Sequence, residues 1–290
     1  MNRRDFYFFQ VLPGIFFLRV IRLVPYLALA AGIGLLFLSD QFLAGNTFRI
    51  RTETVNVTDV RQVLPISEPY VRPLLYTNLA GLSNLPTDEA KRTFISAVLP
   101  AVLVAKHELA MVSQQLVRLK NKRHWNHTDS VTFEAAAMRY KTDDLKELVL
   151  KVGTLPNSVV LAQAAVESGW GQSRFFLEGN NLFGIWSFNP TEPRMAAGEM
   201  RGKRTVWLRS YNNMSESIIS YFDMLSTSGA FKGLRAARHH TSDPLALVAH
   251  LRNFSERRGG YTRQLRMMIQ QNDLTRYDDL ELDPDYLFEQ

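Results

Sequence analysis

The chain contains no cysteine. This absence excludes disulfide bonds, thiolate metal sites and cysteine nucleophiles together. The composition also lacks the marks of a disordered chain, because 46% of its 290 residues are hydrophobic and 21% are charged. A chain of this length and composition can bury one substantial core, with room for a small second unit.

The sequence also lacks motifs for nucleic-acid recognition and for metal binding. The formal charge of +6 and the pI near 9.5 favour an anionic partner, such as nucleic acid, an acidic membrane surface or a wall polymer bearing carboxylates. No nucleic-acid recognition motif accompanies the charge, so a nucleic-acid partner is not expected. His239 and His240 are adjacent and lack a sensibly spaced third ligand. We therefore expect no metal and no cofactor.

The N-terminal region predicts a membrane anchor. Residues 1–22 carry four arginines and one aspartate, and residues 23–38 carry no charge. Sixteen helical residues rise about 24 Å, slightly short of a hydrocarbon core, and Val20 and Ile21 extend the span if Arg22 snorkels. Basic residues before the span predict a cytoplasmic segment over 1–22 and export of the rest. A cleaved signal peptide is the rival interpretation, but no clean small-x-small site follows Leu38.

The remaining chain divides into three predicted parts. Residues 39–86 contain several prolines and short β-prone pieces without a helical period, which predicts a linker or stalk with local strands. Residues 87–272 form the predicted domain, whose first helical region Pro100 kinks or divides. Residues 273–290 contain seven acidic residues against Arg276, and we expect this tail to lie on the surface or to be disordered.

The stretch Pro156–Gly171 is the centre of the predicted domain. Its middle, Val159–Val166, is apolar except at Gln163, which is typical of a helix buried on all sides. Asn157 or Ser158 is the predicted N-terminal cap. Gly169 suits the left-handed position just after the helix.

Glu167 is the strongest candidate for catalysis on this helix. It lies four residues after Gln163 and therefore shares its face. The C-terminal end of a helix repels negative charge, and burial also favours the protonated carboxyl. A carboxylic acid that is neutral near pH 7 is the group with which a glycosidase protonates a leaving sugar oxygen.

The same stretch resembles a known family. Leu161-Ala-Gln-Ala-Ala-Val-Glu-Ser-Gly-Trp-Gly171, followed by Ser173-Arg174 and Gly179-Asn-Asn-Leu-Phe-Gly-Ile185, is similar to the core signature of glycoside hydrolase family 73. This is the glucosaminidase family that includes the flagellar rod-associated peptidoglycan hydrolase. The resemblance covers roughly Lys141–Gln271, and the run Phe254–Tyr261 and the predicted anchor resemble one branch of the family.

The resemblance implies a mainly α fold, with a lysozyme-like helical domain and a small β-hairpin that forms one wall of a cleft. It also implies that Tyr261 lies opposite Glu167 and that a second acid precedes the predicted strand Lys203–Tyr211. Glu199 fits that position better than Glu192. Tyr261 and Glu199 are therefore the further predicted catalytic residues, beside a substrate-assisted route through an N-acetyl group.

Polar and aromatic residues around this signature are the candidates for sugar contacts. Asparagine amides hydrogen-bond acetamido groups as readily as they stabilise turns, and tryptophan rings stack on sugars as readily as they fill cores. The predicted substrate-binding residues are Gln163, Trp170, Asn180, Asn181, Phe183 and Trp186. Further along, Asn213 and Asp243 are predicted to cap helices.

The sequence thus predicts an endo-β-N-acetylglucosaminidase that binds peptidoglycan glycan strands. We expect a single-pass protein of the bacterial inner membrane whose catalytic domain faces the periplasm. A lytic transglycosylase uses one glutamate on a similar scaffold and stays open as an alternative. A non-catalytic wall-binding module and a soluble regulatory protein with a buried N-terminal helix are the others. The oligomeric state is not predicted.

Overall fold

The computed structural model describes residues 48–201 and 204–289. For residues 48, 199–201, 204 and 289 it describes the backbone but not the side chain. The predicted cytoplasmic segment and anchor lie outside these ranges. The helices are α1 (Thr87–Asn121), α2 (His127–Tyr140), α3 (Leu145–Lys151), α4 (Asn157–Ser168), α5 (Arg174–Gly179), α6 (Met214–Thr227), α7 (Lys232–Ala237), α8 (Pro244–Val248) and α9 (Gly259–Gln271). The strands are β1 (Phe48–Ile50), β2 (Glu53–Asn56), β3 (Tyr70–Val71), β4 (Leu74–Thr77), β5 (Arg194–Arg201), β6 (Arg204–Arg209), β7 (Glu281–Leu282) and β8 (Leu287–Glu289). The described fold is mainly helical, as predicted, with four two-stranded sheets.

Helix α1 runs through the core of the domain. Pro100 lies inside it and does not divide it, although an internal proline costs about 3 kcal/mol. The flanking residues Leu99 and Ala101 are fully buried, and their packing offsets that cost. By length and composition α1 is also apolar enough to cross a membrane, but 67% of its most apolar window is buried inside the domain. It is the core helix of this fold.

Helix α4 is buried along nearly its whole length, as the sequence predicts. It ends at Gly169, which has the expected left-handed conformation with φ 59°. The predicted cap at Asn157 or Ser158 is wrong, because both residues lie inside the helix and are fully buried. Instead, the Asp278 carboxylate accepts hydrogen bonds from the Ser158 backbone N–H at 2.7 Å and the Ser158 hydroxyl at 2.8 Å.

Residues 48–86, predicted as part of a linker, belong to the folded domain. Strand β2 pairs in parallel with β4, which confirms the predicted local strands. Leu74, Leu75 and Tyr76 are at most 5% exposed and join the same core as α1 and α4. The prolines in this segment mark turns between short elements and do not make it a stalk.

The acidic C-terminal segment is also folded. Leu274, Tyr277 and Leu280 are buried, β7 pairs in parallel with β3, and β8 pairs with β1 in antiparallel register. The expectation of a disordered or surface-lying tail is therefore corrected over residues 274–289. The apolar residues of this segment face the core, and the acidic residues lie between them. The overall charge of the segment does not reveal this spacing.

The predicted hairpin is present. Strands β5 and β6 pair antiparallel, with an irregular register between Ala196 and Met200. Trp186 forms an isolated antiparallel bridge to Leu208 on β6, so the loop after α5 lies beside the hairpin. The predicted caps are confirmed as well, since Asn213 begins α6 and Asp243 begins α8.

Candidate active site

Gln163 lies at the centre of a buried hydrogen-bond network. Its Nε2 donates to the Tyr261 hydroxyl at 2.9 Å, and its Oε1 accepts a short hydrogen bond from the Tyr221 hydroxyl. All three side chains are 0% exposed. Since both ends of the Gln163 amide are hydrogen-bonded to tyrosines, the structure favours a positioning role for Gln163 over its predicted substrate contact.

Aromatic packing fixes the two tyrosines. Tyr261 is the third residue of α9, and its ring stacks on Phe254 with centroids 5.7 Å apart. Tyr221 lies on α6 and stacks on Phe183 at 4.2 Å. Such contacts stabilise an aromatic pair beyond the burial of its surface and restrict the ring orientation. The two hydroxyls are therefore held in place from α6 and α9.

Glu167 is half-buried at the end of α4, next to this network. Burial raises the pKa of its carboxyl group, against a hydrogen bond from the Tyr261 hydroxyl and the charge of Arg257, which lower it. Burial also raises the pKa of Tyr261 far above its usual range, so this hydroxyl stays protonated. The shift of the Glu167 pKa is thus in the direction that a proton donor requires.

The hydrogen bonds around Glu167 have one direction. Tyr221 donates to Gln163 and Gln163 donates to Tyr261, so the remaining proton of the Tyr261 hydroxyl is available to Glu167, whose pKa it lowers. Because each tyrosine hydroxyl has a single proton, a reversed network would leave a donor without an acceptor. The network therefore presents a donor to Glu167 and orients its carboxyl group.

The predicted second acid lies only partly within the described structure. The backbone of Glu199 belongs to β5, where the resemblance expects it, but its side chain lies outside the described residues. The rival, Glu192, accepts a hydrogen bond from Arg209 Nε at 3.2 Å in an ion pair. That pairing gives Glu192 a structural part in holding the hairpin loop.

The asparagines and phenylalanine of the loop after α5 hold the loop together. Asn181 is 1% exposed, donates to the backbone carbonyls of Ile185 and Arg209, and accepts from the Ile185 N–H. Phe183 is 3% exposed against Tyr221. These contacts favour a structural role for Asn181 and Phe183 over their predicted substrate contacts. Asn180 ends α5 with φ 51° and donates to the Tyr211 carbonyl, which favours its turn-stabilising role.

The tryptophans differ in exposure. Trp170 packs edge-to-face on Phe94 at 5.6 Å, with the Lys91 ammonium 5.4 Å from its ring centroid. Trp186 is 40% exposed and lies 6.2 Å from the ring of Phe188, which is 83% exposed. An exposed aromatic pair beside the hairpin is an apolar surface on which a sugar face can stack. Trp186 stays a predicted substrate contact, and Phe188 is a neighbour that sequence reasoning missed.

Sequence reasoning also missed Tyr221 and Arg257. Tyr221 follows Ile218 by three residues and precedes Leu225 by four, so the helical period of α6 already places it inward. A buried tyrosine hydroxyl needs a hydrogen-bond partner, so the inward position of Tyr221 could have indicated its part in a buried network. Arg257 stands in a loop without periodicity, and only the structure places it near Glu167. Among the described residues, no group of three or more histidine or acidic side chains has metal-site geometry.

Comparison with known proteins agrees with this site. Residues 142–274 match a glucosaminidase family model described as mannosyl-glycoprotein endo-β-N-acetylglucosaminidase. Protein bax of Escherichia coli K12 is 24% identical over 211 residues, which cover 68% of this chain and 75% of that protein.

Two solved structures are also similar. The catalytic domain of the autolysin Auto from Listeria monocytogenes is 22% identical, with coverage of 67% of this chain and 89% of that chain and a TM-score of 0.39. The glycoside hydrolase domain of FlgJ from Salmonella typhimurium is 23% identical, with coverage of 56% and 88% and a TM-score of 0.34. TM-scores this low do not establish a shared fold.

The family match begins and ends almost where the sequence resemblance does, and it contains Glu167, Tyr261 and the network between them. Residues 142–274 are therefore similar to the glucosaminidase family of glycoside hydrolases, and the similar segment includes Glu167 and Tyr261.

Proposed function

We propose that the protein is a peptidoglycan hydrolase that cuts the glycan strand as an endo-β-N-acetylglucosaminidase, with Glu167 as the general acid. The observation that carries this proposal is the Glu167 carboxyl group, with its raised pKa, beside the Tyr261 hydroxyl inside the family-matched segment. Protein bax, the autolysin Auto and a peptidoglycan hydrolase from Sphingomonas sp. A1 are among the similar proteins, and the last is named for this substrate.

The chemistry follows from these groups. Protonated Glu167 gives its proton to the glycosidic oxygen as the bond to the anomeric carbon breaks, and positive charge develops at that carbon. The Tyr261 hydroxyl stabilises the carboxylate that Glu167 becomes, because a hydrogen bond to the charged form favours it. Water then adds to the anomeric carbon. Glu199 is proposed to direct that water, and the substrate's N-acetyl group is the other route.

The arrangement around the site supports a lysozyme-like cleft. The buried helix α4 carries Glu167, and the hairpin β5–β6 with Trp186 and Phe188 is proposed as one wall. Sugar rings would stack on the exposed aromatic pair while Glu167 faces the bond to be cut.

We also propose that the domain acts in the periplasm from an inner-membrane anchor. The support is the uncharged run over 23–38 with arginines before it. Protease accessibility in spheroplasts tests this directly: an exported domain is digested by protease added outside, whereas a cytoplasmic one is protected.

Digestion of purified peptidoglycan tests the function. The full chain in mild detergent is compared with Glu167→Gln and with Glu192→Gln, a matched change at the carboxylate paired with Arg209. The released fragments are reduced with borohydride and read by mass spectrometry. We expect reduced N-acetylglucosamine ends from the wild type and from Glu192→Gln, and at least about a 100-fold loss in Glu167→Gln.

Each other outcome has a distinct meaning. Anhydro-muramic ends would make the protein a lytic transglycosylase. Full activity of Glu167→Gln would remove Glu167 as the acid. Tight binding to the sacculus without any release would leave a wall-binding module.

A further inference from the structure

The loop before α9 and the first part of that helix form a strongly basic stretch. Residues 252–266 contain five arginines and one acidic residue, Glu256. All five arginine side chains are exposed. We call this surface the arginine face, and it consists of Arg252, Arg257, Arg258, Arg263 and Arg266.

The arginine face adjoins the candidate catalytic acid. The guanidinium carbon of Arg257 lies 5.8 Å from the centroid of the Tyr261 ring, and its charge acts on Glu167. Tyr261 is in turn hydrogen-bonded to Glu167. Only Tyr261 therefore stands between the Arg257 guanidinium and the Glu167 carboxyl group. Arg263 and Arg266 add further positive charge along α9.

Two further arginines near Arg257 in the chain have defined contacts. The Nη1 atom of Arg258 donates a hydrogen bond to Asn253 Oδ1. The Arg263 guanidinium lies over the start of α9, beside Gly259 and Gly260. Arg257, Arg258 and Arg263 thus lie within four residues of Tyr261 in the chain.

Guanidinium groups select a particular chemistry. Their planar N–H donors match carboxylate oxygens two at a time, and such charge-assisted pairs are stronger than neutral hydrogen bonds. Neutral glycans built only from N-acetylglucosamine and mannose offer them no partner. Peptidoglycan does, because its glycan carries peptides that end in free carboxylates.

We propose that the arginine face binds the carboxylates of the peptides attached to the glycan, and that this contact makes the enzyme prefer peptide-bearing strands over neutral ones. The proposal rests on the proposed function and adds to it the part of the substrate that is recognised.

The contact also has a consequence for Glu167. The groups that act on its carboxyl are Tyr261 and Arg257, and its charge in turn acts on Tyr221. A peptide carboxylate paired with Arg257 neutralises the charge that lowers the Glu167 pKa. That pKa then rises, and the acid is more fully protonated when a peptide-bearing strand is bound.

The test compares two substrates of the same size. Soluble glycan strands with free peptide carboxylates are used before and after their amidation with carbodiimide and ammonia. The enzymes are the wild-type full chain, the triple variant Arg257→Gln, Arg258→Gln, Arg263→Gln, and the control Arg118→Gln at an exposed arginine of α1. Equal melting temperatures verify that the variants are folded.

We expect wild type and Arg118→Gln to have a kcat/KM about tenfold higher on the charged strand than on the amidated one. In the triple variant this ratio should fall to about one. Moderate salt should lower the wild-type ratio as well, since exposed charges are screened.

Two results would overturn the proposal in different ways. If the wild type cuts both strands equally, or if the triple variant keeps the tenfold ratio, the arginine face does not read the peptides and the hydrolase function stands. If the wild type cuts neither strand, the proposed function fails and this inference fails with it.

Discussion

Glu167 is subject to opposing effects at the scale of single residues. Burial raises its pKa, whereas the Tyr261 hydroxyl and the Arg257 charge lower it. A general acid needs an effect that raises its pKa and one that lowers it. It must keep its proton until the glycosidic bond breaks, and it must then be stable as a carboxylate. The neighbours of Glu167 therefore keep a buried acid able to release its proton.

Replacing each tyrosine separates these effects. Tyr261→Phe removes the hydrogen bond that lowers the Glu167 pKa, so the pKa rises and the loss of activity at high pH shifts to higher pH. Tyr221→Phe removes a bond to Gln163 only, and its pH profile should keep the wild-type position. Each variant leaves one buried atom of the Gln163 amide without a partner, which costs about 1–3 kcal/mol of unfolding free energy.

The measurements are kcat/KM against pH on peptidoglycan fragments and urea unfolding. Equal shifts of the two pH profiles, or no shift in Tyr261→Phe, would contradict the direct bond between Tyr261 and Glu167.

Single residues also show the limit of sequence reasoning. The position of Glu167 follows from local spacing, since Val159–Val166 and Gly169 define the helix and its end. The hydrogen bonds of Gln163 do not follow from local spacing, because its partners Tyr221 and Tyr261 lie 58 and 98 residues further along the chain. Spacing tells which face of a helix a side chain occupies, but not what covers that face.

The same contrast holds for whole elements. Helices α6 and α8 have their caps, Asn213 and Asp243, directly before their first residue, so local sequence predicts them. Helix α4 begins after Pro156 without a side-chain cap of its own. Its cap, Asp278, is 120 residues away from Ser158. No local pattern could reveal it.

Removal of the distant cap should weaken α4. Asp278→Ala takes away the acceptor of the Ser158 backbone N–H and hydroxyl, and we expect a loss of about 1–2 kcal/mol in unfolding free energy. Lys106, whose Nζ donates to Asn157 at 2.6 Å, also loses the charge of Asp278. Urea denaturation followed by circular dichroism measures the loss.

Asp279→Ala is the matched control, since Asp279 is the next residue and is exposed. Equal stability of the two variants would show that Asp278 does not support the helix.

At the scale of the whole molecule, the segments on either side of the family-matched region complete the fold. Residues 48–86 supply core residues and two strands that pair with β7 and β8 near the C-terminus. Charge and proline content led the sequence interpretation to treat both segments as appendages. Their buried positions are fixed by pairing between distant segments, which composition does not encode.

A shortened chain tests whether the C-terminal segment is part of the cooperative unit. Deletion of 274–290 removes the Asp278 cap, the buried Leu274 and Tyr277, and strands β7 and β8. We expect loss of cooperative thermal unfolding and of activity. Deletion of 284–290 alone removes β8 but keeps the cap, and this control should stay folded and active. A 274–290 deletion with wild-type melting would show that the segment is dispensable.

The pairing of β1 with β8 also determines how the domain responds to force. Phe48 pairs with Glu289 at the open end of this clasp, while Ile50 and Leu287 continue into the body of the domain. Tension applied to the chain before Phe48 would therefore load one residue pair at a time. The three pairs would separate in turn, from Phe48 to Ile50, before the force acted on the rest of the domain.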